Sequence, residues 1–217
     1  MLDPVSAFTE IFCSSHDAAA TGLMLTQFDE LPNRPGPVLW IQDACAAHEI
    51  GPPCLRGLEG FGLRSSVLRV ATKRAVDALW AMEEGLGCTA LSAVVGEIWG
   101  NPHALDFTAT RRLALRSSAS GVPLWLLRPD GKPSLSSASD RWKVTSTASD
   151  RNPWNAQAPG ASRWRAELFR SRHAMPGVWV LGHDRAAHRL DLAAPLRDGS
   201  LGAAQGYNTA RSVRAVG

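Results

Sequence analysis

The sequence lacks any apolar stretch long enough to cross a bilayer, and its four cysteines include no C-x-x-C pair. The longest apolar stretches, LSAVV and VPLWLL, fall far short of the roughly 20 residues that a membrane-spanning helix needs. Met1 is not followed by the basic and then apolar leader of a secreted protein. These absences argue against a membrane protein and a secreted disulfide scaffold, and they predict a cytoplasmic location.

Metal ligands in a matched pattern are scarce as well. Cys45, His48 and Cys54 are the nearest approach to a zinc set. Structural zinc sites use four ligands in paired spacings, and no fourth ligand stands at a suitable distance along the chain. We therefore expect neither a metal nor another cofactor.

What the sequence does contain, through residue 128, is an alternation of apolar β-rich segments with helical patterns. Strands are predicted at 7–12, 37–42, 66–71, 91–95 and 122–128, and helices at 16–31, 73–88 and 108–119. This alternation is typical of β-α-β units, in which helices cover both faces of a parallel sheet. With 217 residues, 45% of them hydrophobic, the chain can bury such a core without a disulfide or metal.

The pattern changes after residue 128, where turn-rich segments separate short alternating strands. Strands are predicted at 140–147, 162–172, 177–183 and 187–195, and they indicate an antiparallel extension of the sheet. From Arg197 onward glycine, alanine, serine and arginine dominate. We therefore predict one domain over 1–196 and a disordered tail over 197–217.

The formal charge of +3 conceals an uneven distribution. Residues 1–110 carry 6 Lys and Arg against 13 Asp and Glu, a net of −7, whereas residues 111–217 carry 17 against 7, a net of +10. A basic half suits nucleic acid or an acidic protein as partner, and an acidic half would also permit head-to-tail association. A solvated surface with no partner is the remaining interpretation.

The turn between the first strand and the first helix, within EIFCSSHDAAATGLML (10–25), occupies the place where many nucleotide-binding proteins hold phosphate. A phosphate-binding loop there reads G-x-x-x-x-G-K-[ST], because glycines let the backbone wrap the phosphates and the lysine reaches the terminal ones. Residues 13–20 contain neither glycine nor lysine. The turn is therefore either a phosphate site that has lost its chemistry or an ordinary connection.

The order of these segments resembles the ATPase core of RecA-type recombinases. EIF followed by CSSHDAAAT stands where that family has its first strand and phosphate loop, VLWIQD is similar to the following strand, and LSAVVGEI stands where the Walker B strand ends in aspartate. SRWRAELFRSRHAMPGVWVL resembles the paired C-terminal strands. The resemblance covers about residues 8–195 and implies a RecA-like three-layer α/β sandwich, with a mostly parallel central sheet and a C-terminal antiparallel extension.

A closer resemblance is to the ImuA family, RecA-related proteins encoded with ImuB and a second DnaE-type polymerase in bacterial damage-induced mutagenesis cassettes. The segments that carry it are VLWIQD, DALWAMEEGL, AVVGEIWGNPHALDFTATRRLAL and RWRAELFRSR. The resemblance implies partnership with ImuB and, through it, the error-prone polymerase. RecA and DNA are further possible partners, and no membrane is implied.

Compared position by position with the RecA-type site, the chain has lost its phosphate chemistry. Cys13 and Ala18 stand in place of the two glycines, Ala19 in place of the lysine, and Ala20 in place of the hydroxyl that would hold Mg²⁺. Gly96 stands in place of the Walker B aspartate, and the adjacent Glu97 would point to the other face of the strand. With lysine, hydroxyl and aspartate replaced, we expect no enzyme and no bound nucleotide. His16 and Asp17 are expected to satisfy the start of the helix instead.

Basic residues interleaved with aromatics are the remaining candidates for a binding site. They are Arg141 and Lys143 around Trp142, Arg163 and Arg165 around Trp164, Arg170 with Arg172, and Lys132 in the loop after the fifth strand. In an alternating strand Arg163 and Arg165 share one face, so Trp164 is expected in the core. The arginines could bind a protein partner or a DNA backbone, or form a solvated surface.

Three functions follow from these observations. The first is a non-catalytic adaptor in translesion synthesis. The second is a cell-division inhibitor resembling SulA, a family that is shorter and usually lacks the long C-terminal strands at 140–195. The third is a residual nucleotide-binding enzyme, against which Ala18, Ala19, Ala20 and Gly96 argue.

Overall fold

One nine-stranded sheet runs through residues 7–28, 34–184 and 189–195, which are the residues that the computed structural model describes. In chain order the strands are β1 (Phe8–Cys13), β2 (Val38–Gln42), β3 (Val67–Ala71), β4 (Ala93–Glu97), β5 (Leu124–Pro129), β6 (Asp140–Thr147), β7 (Arg163–Arg170), β8 (Gly177–Asp184) and β9 (Arg189–Pro195). In space their order is β3-β2-β4-β5-β1-β6-β7-β8-β9. The tail predicted over 197–217 lies outside the described residues.

Five helices accompany the described strands. They are α1 (Ala19–Phe28), α2 (Ala44–Glu49), α3 (Leu55–Gly60), α4 (Ala75–Leu86) and α5 (Phe107–Ser120). Residues of α1 and α3 pack with Ile11, Trp40 and Trp125 in one apolar core. Residues of α4 and α5 form a second core on the opposite face of the sheet. The sheet therefore lies between two helical layers, as the alternation of segments predicted.

Strand pairing changes direction within the C-terminal part of the sheet. The pairs from β3 through β1 to β6 are parallel, and the pairs from β6 to β9 are antiparallel. The prediction of a parallel sheet with an antiparallel C-terminal extension is confirmed. The antiparallel pairing begins one strand later than predicted, because β6 pairs beside β1 as a sixth parallel strand.

The sequence reading missed α2 and α3, which lie between β2 and β3. Each is only six residues long, too short for a helical repeat of apolar residues to stand out. Asp43 caps α2 by accepting a hydrogen bond from the Ala46 amide at 2.8 Å. Prolines and glycines flank α3 in the sequence.

Helix α1 packs closely against β7 of the sheet. A Cβ atom at Gly22 would lie 2.5 Å from the ring of Trp164, so this turn of the helix has room only for glycine. Trp164 is buried, and Arg165 beside it is exposed. The predicted alternation along β7 is confirmed. Among the described residues no helix is both long and apolar enough to cross a membrane.

Candidate functional site

The turn from β1 into α1 is closed by hydrogen bonds from its own residues. The Asp17 amide donates to the Ser14 carbonyl oxygen at 3.1 Å, and the His16 amide donates to the Ser14 hydroxyl at 3.3 Å. The Asp17 carboxylate accepts from the Ala19 amide at 2.9 Å. A carboxylate of the chain thus stands at the helix N-terminus, where backbone N–H groups would otherwise attract an anion.

The Asp17 carboxylate also ties this turn to β6. It accepts from the Ser146 amide at 2.6 Å and from the Ser146 hydroxyl at 2.7 Å. With Ala19, three donors converge on one side chain. A phosphate group approaching the start of α1 would have to displace these contacts and face a negative charge.

A second carboxylate reaches the turn from the end of β5. Asp130 is the one non-glycine residue with positive φ among the described residues, at 52°. Its amide donates to the Cys13 carbonyl oxygen at 2.9 Å, and its carboxylate accepts from the Ser15 amide at 3.1 Å. This left-handed conformation is uncommon for a residue with a Cβ atom, and it directs the Asp130 carboxylate to the Ser15 N–H.

A cleft of about 250 Å³ opens beside the turn, at the carboxyl ends of the parallel strands. Its lining includes the carboxylates Asp17, Glu49 and Glu97 but neither lysine nor arginine. Cys13, Ala18 and Ala20, which replace phosphate-loop residues in the comparison above, also line it, whereas Ala19, the first residue of α1, is buried in the core. The cleft therefore lies where phosphate-binding proteins hold phosphate, beside the turn after the first strand. Its lining is negatively charged, whereas a phosphate site needs positive charge.

The placement of Gly96 corrects the sequence interpretation. A Cβ atom there would lie 2.0 Å from the Met82 sulfur, so Gly96 faces α4 and no larger residue fits. Because side chains alternate along a strand, Glu97 faces the other side and lines the cleft. The carboxylate that β4 directs towards the turn is thus that of Glu97, one residue after Gly96.

Glu97 is a carboxylate buried in the wall of this cleft. Its side chain is 4% exposed, and one oxygen accepts a hydrogen bond from the Gln42 amide nitrogen at 2.5 Å. Burial raises the pKa of Glu97, although Gln42 and the charge of Arg69 act in the opposite direction. Burial, with the charges of Asp17 and Glu97, likewise raises the pKa of the Cys13 thiol to about 12.

A charged cluster lies on the other face of the same strands. Glu10, fully buried in the middle of β1, accepts from Arg128 at 2.8 Å and from Arg141 at 2.7 Å. Phe12 lies within cation–π distance of both guanidinium groups, and Phe169 of Arg141. The cluster joins β5, β1 and β6 and carries two positive charges against one negative. A charged residue within the apolar strand FTEIFC was the signal in the sequence that could have revealed it.

Arg128 also fixes the two loops that follow β4 and β5. Its guanidinium donates to the Gly100 carbonyl at 2.7 Å and to the Asn101 side-chain oxygen at 2.8 Å. The same Asn101 oxygen accepts from the Lys132 amide at 3.1 Å. Lys132 is exposed, so its ammonium group is presented at a loop that the buried arginine holds.

The structure separates the predicted cations into two groups. Arg141 is only 5% exposed and is paired with Glu10, so its assignment to a contact surface is corrected: its role is within the core. Arg170 is half-buried and donates to the Ser136 carbonyl at 2.7 Å. Lys132, Lys143, Arg165 and Arg172 are exposed, and Arg163 is half-buried, with its Nε atom buried.

Two of these arginines lie on a sheet face that α1 leaves open. Arg163 and Arg165 alternate with the buried Trp164, against which α1 packs on the opposite face. Arg163 forms an ion pair with Asp150, and Arg165 lies 3.7 Å from Glu167. The cross-strand neighbours of Arg165 are Thr145 on β6 and the half-buried Val180 on β8. The result is a flat surface of cations and small apolar side chains, joined by Lys143.

A second cleft, of about 420 Å³, lies at the ends of β2, β3 and β4. It is lined by Asp43, Ala44, Cys45, Lys73, Arg74, Ala75, Trp99, Asn101 and Pro102. Within the described ranges no group of three or more His, Cys, Asp and Glu side chains is arranged to hold a metal ion. Cys45 and Cys54, considered above as zinc ligands, are exposed free thiols.

Part of the uneven charge of the two halves is cancelled inside the molecule. Glu10 of the acidic half pairs with Arg128 and Arg141 of the basic half. On the helical surface, Arg112 of α5 lies 2.9 Å from Glu83 of α4. The surface is consequently less polarised than the sequence counts indicate.

Fold and site together define an α/β protein in which the turn after the first strand contains neither glycine nor lysine and is closed by the carboxylates of Asp17 and Asp130. No protein-family model matches the chain. Over 164 residues it is 32% identical to Protein ImuA of Caulobacter vibrioides, both in strain NA1000 / CB15N and in strain ATCC 19089 / CIP 103742 / CB 15. The chain belongs to the ImuA family, and the resemblance noted in the sequence is confirmed. The alignment covers 70% of this chain and 63% of each relative, so the chain spans less than two thirds of their length.

Proposed function

We propose that this protein is a non-catalytic, RecA-like accessory protein of damage-induced mutagenesis, which acts as an adaptor for ImuB and, through it, for the error-prone DnaE-type polymerase. Membership of the ImuA family supports a role in damage-induced mutagenesis, because the resemblance implies that the protein is encoded in the same cassette as ImuB. The central position of β1 among parallel strands, followed by antiparallel strands, supports the RecA-like description.

The observation that carries the proposal is the self-closed turn at residues 14–18. Asp17 and Asp130 accept from the Ala19 and Ser15 amides, which are donors of the kind that a phosphate would use. Glu97 and Glu49 add further negative charge to the cleft. Phosphoryl transfer depends on cations that neutralise the phosphates, and the cleft lining holds no lysine or arginine.

For the adaptor role we propose that the partner contacts the open sheet face around Arg163, Arg165 and Lys143. Arginine is enriched at protein interfaces, and the exposed guanidinium group of Arg165 suits a carboxylate. The half-buried Val180 beside Arg165 supplies apolar area. A DNA backbone on the same cations is the second candidate, because phosphates attract the same groups.

The test is complex formation between the full chain and purified ImuB, measured by analytical ultracentrifugation without nucleotide. We expect a complex that weakens at higher salt and in the double variant Arg163→Glu with Arg165→Glu. Arg111→Glu, which reverses an exposed charge on α5, is the matched control and should bind normally. A well-folded chain that remains alone contradicts the adaptor function.

A further inference from the structure

We propose that Trp154 is an aromatic anchor that inserts into an apolar pocket on a partner protein, from a loop that its own hydrogen bonds hold in shape. The loop spans residues 148–162 and joins β6 to β7, the strands that carry Lys143 and Arg165 of the open sheet face. The proposal rests on the adaptor function proposed above, because the partner that contacts this face supplies the pocket.

Trp154 is the most exposed large apolar side chain among the residues that the structure describes. Its exposed fraction is 93%, against 66% for Trp80 of α4. The other six tryptophans are buried or half-buried. Small apolar side chains are ordinary at a surface, but a tryptophan offers more apolar area for burial than any of them. Trp154 therefore presents to solvent an area that a partner can cover.

The tip of the loop is fixed by the side chain of Asn152. Its oxygen accepts from the Trp154 amide at 2.9 Å and from the Asn155 amide at 3.1 Å. Its nitrogen donates to the Pro159 carbonyl at 3.2 Å, beside the β-bridge between Pro159 and Arg151. These contacts hold the backbone on both sides of the ring in the free protein. A backbone that is already ordered lowers the entropy cost of binding, which favours an anchor.

The base of the loop is closed as well, and it is tied to the open sheet face. The Asp150 amide donates to the Ala161 carbonyl at 3.0 Å, and the Gly160 amide donates to the Asp150 carbonyl at 3.0 Å. A side chain at Gly160 has no room beside the Asp150 carbonyl. The Asp150 carboxylate forms an ion pair with Arg163 of β7. The loop is thus continuous with the surface proposed to contact the partner.

The charge of the loop suits an apolar protein pocket better than nucleic acid. Residues 148–162 contain one Asp and one Arg, a net charge of zero, and the neighbours of Trp154 in the sequence are uncharged. Aromatic side chains that stack on single-stranded bases lie in positively charged grooves that follow the phosphates. The centre of a protein interface is instead depleted of charge and enriched in tryptophan. The matching partner surface is an apolar pocket beside carboxylates, which would meet Arg165.

The test compares binding of purified ImuB to the full wild-type chain, to Trp154→Ala and to Trp80→Ala, by analytical ultracentrifugation without nucleotide. We expect Trp154→Ala to raise the dissociation constant at least about 30-fold, as for removal of an interface hot spot. Trp80→Ala is the matched control, because it removes the other exposed tryptophan, and it should bind normally. The loss in Trp154→Ala should persist at higher salt, because salt screens charge pairs and not apolar contacts.

Fluorine NMR of the chain labelled with 5-fluorotryptophan follows the ring directly. The Trp154 and Trp80 resonances are assigned from Trp154→Phe and Trp80→Phe. We expect ImuB to shift or broaden the Trp154 resonance and to leave the Trp80 resonance unchanged. Because the Trp154 side chain is exposed, its removal should leave the melting temperature of the free chain unchanged.

The outcomes separate this proposal from the adaptor function. Equal binding of ImuB to wild type and Trp154→Ala overturns the anchor and leaves the adaptor function standing. A wild-type chain that remains alone contradicts both. A Trp154 resonance that responds to single-stranded oligothymidylate and not to ImuB overturns the apolar pocket in favour of stacked bases.

Discussion

Glu10 illustrates how much a single side chain can hold in this structure. It compensates two guanidinium groups that are almost fully removed from water. Burial lowers the pKa of Arg128, and the charge of Glu10 opposes that change. The Nε atom of Arg128 and one terminal nitrogen of Arg141 are buried without partners, so the cluster has no spare acceptor.

We predict that Glu10→Gln lowers the free energy of unfolding by about 3–5 kcal/mol, because removing one partner of a buried ion pair leaves the other charge uncompensated. Urea denaturation followed by circular dichroism measures this change. Glu84→Gln, which alters a surface pair with Arg116 at 3.9 Å, should cost less than about 1 kcal/mol. Equal effects of the two substitutions contradict the structural role assigned to Glu10.

At Glu97 the prediction concerns pH. Burial raises the pKa of Glu97, as does the nearby charge of Asp43, while Gln42, Trp40 and Arg69 lower it. The folded state therefore holds this proton more tightly than the unfolded state. The stability that the proton contributes is present below the unfolded pKa and is lost as pH rises through the folded pKa.

We accordingly expect wild type to lose stability relative to Glu97→Gln as pH rises from the ordinary glutamate value of about 4.3 towards neutrality. The measurement is the difference in urea midpoint between the two proteins across that range. Burial also raises the pKa of Asp43, but Asp43 is common to both proteins, so its contribution largely cancels. A difference in urea midpoint that stays constant across this range would contradict a raised pKa of Glu97.

At the scale of elements, the start of α1 is the junction on which the candidate site depends. Asp17 links the helix to β6 through Ser146, and Asp130 links β5 to the same turn through Ser15. The sequence suggested that the turn would satisfy itself through Asp17, and the contact with Ala19 confirms this. The partnership with Ser146 joins residues 129 positions apart, a pairing that local pattern does not reveal.

We predict that Asp17→Ala costs about 1–2 kcal/mol, the range for loss of an N-cap. The amides of Ala19 and Ser146, which donate to Asp17, should exchange faster with D₂O. Asp17→Asn keeps the acceptor oxygen and should lose less stability. If only the Ala19 amide exchanges faster, the hydrogen bonds from Asp17 to Ser146 of β6 contribute nothing measurable to stability.

At the scale of the whole molecule, the structure explains which sequence predictions succeeded. The alternation of apolar strand segments with helical patterns predicted the β-α-β framework and both helical layers. It did so because a sheet buried on both faces needs apolar strands, and each covering helix needs an apolar face. The short α2 and α3, the partners of Glu10 and the orientation of Glu97 were not accessible in this way. Helices α2 and α3 are too short for a helical repeat to stand out. The partners of Glu10 and the face of Glu97 depend on register between distant strands, where a shift of one residue exchanges the faces.

The lack of nucleotide affinity is also a prediction for the whole molecule. Because a ligand that binds only the folded state must raise its stability, Mg-ATP should leave the melting temperature within the range of matched buffer and salt controls. Differential scanning fluorimetry with Mg-ATP at millimolar concentration measures this. A shift beyond the controls that disappears in Glu97→Gln points to a surviving nucleotide site.

The central place of β1 in the sheet has a consequence for how the protein is made. Phe8 pairs with Leu124 and Thr9 with Asp140, so β1 finds its neighbours only after β5 and β6, with all the residues between, have left the ribosome. Until then, its apolar residues and those of α1 have no sheet to cover. Long sequence separation between contacting segments slows folding and prolongs exposure of such surfaces. The emerging chain is therefore vulnerable to aggregation from the synthesis of α1 until β5 and β6 emerge, and a chaperone that holds β1 and α1 would act during this interval.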